Sequence, residues 1–94
     1  MGTKTDKKEK SKVEEILSNT HKLLLENDDY NTFDWVITCL MRICGHDYEQ
    51  AEQCSLIVHN NGRCVVKYGD IETINKMKEK LKNAGLLASI ENND

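Results

Sequence analysis

His21-Lys22-Leu23-Leu24-Leu25-Glu26 runs into Asn27-Asp28-Asp29-Tyr30-Asn31 and then into Thr32-Phe33-Asp34-Trp35-Val36. The first six residues read as a short buried strand, with three leucines in succession. Asn27 to Asn31 reads as a turn, because Asn and Asp side chains bond their own backbone and tolerate tight geometry. From Thr32 a helical period begins. Phe33, Val36, Ile37, Leu40 and Cys44 recur at steps of three and four and mark one helix face, with Trp35, Cys39 and Arg42 on another side. Gly45 suits the position that ends such a helix.

The remaining elements follow outward from this unit. Asp47 reads as an N-cap with Gln50 three residues on, a capping-box-like pair. The helix it opens carries Ala51, Cys54, Ser55 and Val58 on one stripe, with His59 beside it, and Asn60-Asn61-Gly62 stops it. Cys64-Val65-Val66-Lys67-Tyr68 is β-branched and strand-like. Asp70 caps a third helix with the stripe Ile71, Ile74, Met77, Leu81 and Ala84. Gly85 closes it, and Leu86 to Ile90 forms a last strand. The order is β-α-α-β-α-β. The expected fold class is α+β, a two-layer sandwich with a three-stranded sheet packed on three helices. Residues 13–18 have the pattern of a helix start but are too short to be stable alone.

The chain has 94 residues, 31% of them charged and 38% hydrophobic, with no proline. That is one domain's worth. It leaves little chain for both a core and a deep active site, so an enzyme is not expected. No apolar run approaches the ~20 residues of a membrane span, and no apolar region follows the basic start. A cytoplasmic protein is the expectation, with no membrane partner. Residues 1–12 hold five lysines against Asp6 and Glu9, a charge of +3, so the rest carries −6 of the net −3. A folded part so acidic repels nucleic acid phosphates. Residues 1–18 are expected to form a disordered basic tail, with the domain at 19–94. The tail reads as a solubility feature, or as an arm for a larger acidic partner.

Four cysteines stand at positions 39, 44, 54 and 64. Their spacings match no zinc pattern. Core thiols are expected, with no metal and no cofactor. Cys54 and His59, five residues apart on one helix, do not face each other. Spacing leaves a pairing of Cys39 or Cys44 with His59 open, but no nucleophile motif surrounds either cysteine. His21 and His46 read as surface residues. His59 reads either as a structural residue at an apolar border or as part of a site. Asn27-Asp28-Asp29-Tyr30 reads either as a turn with helix caps or as a site for a cation. Two carboxylates and an amide oxygen suit a positively charged ligand with several N–H donors.

Asn27-Asp28-Asp29-Tyr30, Thr32-Phe33 and Trp35-Val36, followed by Ala51-Glu52-Gln53 and by Val58-His59 with Gly62-Arg63, resemble the ClpS family of adaptors of the Clp ATP-dependent protease. The resemblance runs from about Lys22 to Glu91, and the ending Gly85 to Glu91 looks like a shorter branch. The C-terminal domain of the ribosomal stalk protein is similar in architecture but lacks this turn and the histidine. The resemblance implies an adaptor that binds N-degrons, proteins whose first residue is large and hydrophobic, and delivers them to a Clp AAA+ unfoldase. It implies that Asn27, Asp29 and His59 hold the substrate's α-amino group, a donor of three N–H bonds to three acceptors.

By the same resemblance, Asn31, Phe33, Val36, Ser55 and Val58 form the side-chain pocket. Three of these depart from the family pattern: Asn31 replaces Thr, while Phe33 and Ser55 replace Met. Thr32 stands where Pro is common. The departures motivate an alternative, a domain of the same fold that binds the Clp chaperone but has lost degron recognition. Glu72 and Lys76 are candidates for docking on the chaperone, which a flexible N-terminal extension also engages in the family. A monomer is expected.

Overall fold

The computed structural model describes residues 20–92. The expectations for the basic tail and for a helix start at 13–18 lie outside the described residues. The elements are β1 (His21–Glu26), α1 (Phe33–Cys44), α2 (Tyr48–Asn61), β2 (Arg63–Gly69), α3 (Ile71–Asn83) and β3 (Leu87–Asn92). This is the β-α-α-β-α-β order expected from the sequence. The strands form one antiparallel sheet in the order β2-β1-β3. The leucine-rich β1 therefore lies in the centre, where a strand loses contact with water on both edges.

Leu23 and Leu25 share a face of β1, since strand side chains alternate. They join Ile37, Leu40, Ala51, Val58, Val66, Ile74, Leu81 and Leu86 in a single core between the sheet and the helices. Local chemistry sets where the helices begin and end. Thr32 Oγ1 accepts the Trp35 N–H at 3.0 Å, Asp47 Oδ1 the Gln50 N–H at 2.8 Å, and Asp70 Oδ2 the Thr73 N–H at 3.1 Å. Each cap satisfies a donor that the first helical turn leaves open. Gly45 and Gly62 end α1 and α2 at φ 73° and 96°, where a Cβ would be strained.

Two helix faces differ from the periodic reading. Cys39, placed off the apolar stripe of α1, is buried at 3% exposure, while Phe33, on that stripe, is exposed. The C-terminal half of α1 lies in the core with Ile37, Cys39, Leu40 and Cys44 all covered. Its first turn instead borders an open cavity. Ile71 is likewise exposed at the start of α3. All four thiols are free; Cys39, Cys44 and Cys54 are buried and Cys64 is half-buried. Burial pushes the Cys44 thiol up to about 11, and burial with the Cys54 contact pushes Cys64 up to about 12. Both stay protonated at neutral pH, as core thiols do.

The histidines correct the sequence reading more sharply. His21 lies within β1 and is half-buried. His46 is only 5% exposed, and its Nε2 lies 2.7 Å from the Val66 carbonyl oxygen. That carbonyl stands at a register shift. Leu23 faces Lys67 and Leu24 faces Val65, so Val66 is an extra residue in β2. Such a bulge takes backbone groups out of the ladder, and His46 bonds the carbonyl of the bulged residue. His46→Ala is expected to lower unfolding stability by roughly 1–3 kcal/mol, the cost of an unsatisfied buried acceptor. Urea unfolding checks this, and an unchanged midpoint contradicts it.

Candidate functional site

The turn between β1 and α1 is organised by Asp28. Its Oδ1 accepts the backbone N–H groups of Tyr30 and Asn31, each at 2.8 Å, and its Oδ2 accepts from Asn31 Nδ2 at 2.8 Å. Burial alone raises the Asp28 pKa, but the bonds from Asn31 and Tyr30 outweigh it and hold the carboxyl below its ordinary value. Asn31 Nδ2 also donates to the Gly85 carbonyl at 2.8 Å. Both of its partners are acceptors, which fixes the orientation of the amide.

The turn is pinned from outside as well. The Asn27 N–H donates to the Gly62 carbonyl at 2.9 Å, which ties the end of β1 to the end of α2. Trp35 Nε1 donates to the Ala84 carbonyl at 3.0 Å, which ties α1 to the end of α3. Segments 35 and 49 residues apart in sequence are thereby held side by side.

Three side chains are left over by this bonding. Asn27, Asp29 and His59 are exposed, and their side chains have no partner among the described residues. All three border a cavity of about 360 Å³, lined by Asn27, Asp28, Asp29, Asn31, Phe33, Val36, Ser55, Val58 and His59. Every residue named from the sequence for the amino-group site and the side-chain pocket lies in this lining. His59 comes from the last turn of α2, where the negative end of the helix dipole favours a cation. The rim is thus rich in acceptors and negative charge, and Phe33, Val36 and Val58 form an apolar wall.

Two features were not read from the sequence. Asp28, equal to Asp29 as a cation ligand on paper, is spent on the turn. A side recess of about 20 Å³ beyond the cavity is closed by Leu25 and Leu86, with room for about one water. No sequence signal places Leu86 at this recess; it follows Gly85, whose carbonyl accepts from Asn31 Nδ2. Glu72 and Lys76 lie one turn apart on α3, exposed, and neither lines the cavity. No group of three His, Cys, Asp or Glu side chains among the described residues is placed to hold a metal ion. No helix among them is long and apolar enough to cross a membrane.

A small α+β domain whose half-open cavity has acceptors at the rim and an apolar wall has the makeup of a recognition domain. The family described as "ATP-dependent Clp protease adaptor protein ClpS" matches residues 17–89. The chain is 32% identical over 95 residues to the ClpS adapter protein of Synechococcus elongatus, covering all of both chains. It is 34% identical over 86 residues to that of Campylobacter jejuni, covering 92% of this chain and 88% of the relative. Its fold is similar to a solved structure of Agrobacterium tumefaciens ClpS2 bound to L-phenylalaninamide, with TM-score 0.69, 21% identity and coverage of 80% and 98%. The chain belongs to the ClpS family, the adaptor proteins of the ATP-dependent Clp protease.

Proposed function

We infer that this protein binds the first residue of N-degron substrates and hands them to a Clp AAA+ unfoldase, acting as a cytoplasmic monomer. Asn27, Asp29 and His59 hold the α-ammonium group, and the cavity behind them takes a large hydrophobic side chain. The observation that carries this reading is the convergence of three unpartnered acceptors at the mouth of an apolar-walled cavity. An α-ammonium offers three N–H donors and a positive charge, which matches that rim. L-phenylalaninamide, the ligand of the A. tumefaciens protein, combines a free amine with a benzyl side chain, the same two groups. The open cavity argues against the alternative in which recognition has been lost. Glu72 and Lys76, remote from the cavity, are proposed to face the chaperone. No chemical step is part of this reading.

Charge-assisted hydrogen bonds contribute roughly 1.5–3 kcal/mol each, and burial of a Leu or Phe side chain about 1.5–3 kcal/mol. After ordering costs, dissociation constants of roughly micromolar order are expected. Fluorescence anisotropy with labelled peptides beginning with Leu, Phe, Tyr or Trp tests this. N-acetylation is expected to weaken binding by at least about tenfold, because it removes the charge and two donors. Equal affinity for acetylated peptides, or for peptides beginning with Ile or Val, contradicts the reading.

A further inference from the structure

One group in the cavity wall remains unexplained by amino-group recognition. Ser55 is 3% exposed, and its Oγ has no hydrogen-bond partner in the fold. A helical serine commonly settles its hydroxyl on the carbonyl four residues back; Ser55 does not. A buried hydroxyl left unpaired is unfavourable, and this one belongs to a residue that lines the cavity.

The position of Ser55 gives that hydroxyl a meaning. Ser55 and His59 are four residues apart on α2, so they lie on one face with about 5–6 Å between their Cβ atoms. His59 is at the exposed rim and Ser55 is one turn further in. A first residue whose ammonium group rests on Asn27, Asp29 and His59 extends its side chain along α2 toward Ser55. The apolar lining residues, Phe33, Val36 and Val58, offer no polar side-chain atom, and the amide nitrogen of Asn31 is spent on Asp28 and Gly85.

We propose that the Ser55 hydroxyl is the specificity element of the pocket and pairs with the phenol of an N-terminal tyrosine, so that tyrosine is the preferred first residue. This rests on the degron-binding reading above. The phenol oxygen stands at the point of the ring farthest from the α-carbon, where it both donates and accepts. Phenylalanine fills the same wall but leaves the serine unpaired. Leucine ends short of it. Tryptophan brings an N–H donor, but closer to its α-carbon and without acceptor capacity.

The test is a titration of peptides that differ only in the first residue: tyrosine, phenylalanine, para-fluorophenylalanine, tryptophan or leucine. They are measured on the wild-type protein and on Ser55→Ala. Wild type is expected to bind the tyrosine peptide about fivefold or more tighter than the phenylalanine peptide, the effect of one hydrogen bond. Ser55→Ala is expected to erase that preference, bringing the ratio of tyrosine to phenylalanine affinity to about one. The para-fluoro peptide, similar in size but without the hydroxyl, is expected to behave like phenylalanine on the wild type, which tests the idea even if the variant folds poorly. Equal or tighter binding of phenylalanine by the wild type, or a tyrosine preference that survives Ser55→Ala, overturns this inference and leaves the degron reading standing. Failure of every peptide to bind overturns both.

Discussion

Asp29→Ala is expected to weaken binding of a peptide with a free hydrophobic first residue by about tenfold to a hundredfold, the equivalent of ~1.5–3 kcal/mol. Asn27→Ala and His59→Ala should each act in the same direction, and Asp29→Ala with His59→Ala should abolish measurable binding. Asp29 is exposed and without a partner among the described residues, so its removal should change stability by less than about 0.5 kcal/mol. Asp28 makes the informative contrast. Its carboxylate holds the backbone of Tyr30 and Asn31 and the Asn31 side chain. Asp28→Ala should therefore lower both the melting temperature and the affinity. Isothermal titration together with thermal melts separates the two. If Asp29→Ala binds like the wild type, the assignment of the amino-group site is wrong.

Leu40→Ala carries the largest expected effect on stability. Leu40 is 0% exposed in the middle of α1, in the core that joins the helices to β1 and β2. Removing a fully buried leucine leaves a cavity and costs about 2–5 kcal/mol. Domains of this size hold only about 5–15 kcal/mol in total, and each kcal/mol moves the melting point by roughly 4–8 °C. A fall of at least about 10 °C follows from those figures. Trp35 is the only tryptophan, and its indole bonds the Ala84 carbonyl across to the end of α3, so its fluorescence reports the unfolding. A drop of under about 1 kcal/mol would mean that the site collapses around the truncation far better than core leucines do.

The fold was legible where local chemistry and packing agree. The Asp47 and Asp70 caps, the stops at Gly45 and Gly62, and the buried stripe of Ala51, Cys54, Ser55 and Val58 all follow from short-range rules, and the structure has them. His46 was not legible, because its partner is the carbonyl of Val66, twenty residues on in the sequence, a contact no local rule predicts. Cys39 and Phe33 were misjudged for a related reason. A single helical period assumes one buried face along the whole helix, whereas α1 leaves the core at its first turn.

The lining of the candidate site was legible in a different way. From its residue types alone, the turn with two carboxylates read either as a turn with helix caps or as a site for a cation. Joining that turn to His59 and Ser55, about thirty residues on, needed the family resemblance, because no spacing rule predicts the Asn27–Gly62 bond. Nor does the sequence distinguish Asp28 from Asp29. Neighbouring side chains of identical chemistry acquire different roles only through where the turn directs each of them.

The Asp28–Asn31–Gly85 bonding is closed on itself and spends nothing on the wall contributed by α2. In hereditary terms, on the proposed reading, Asn27 and Asp29 of the amino-group site are written in a different element from Ser55, and His59 alone shares its helix. On that reading, a single codon change at Ser55 would alter the choice of first residue and leave the Asp28-organised turn that carries Asn27 and Asp29 as it is.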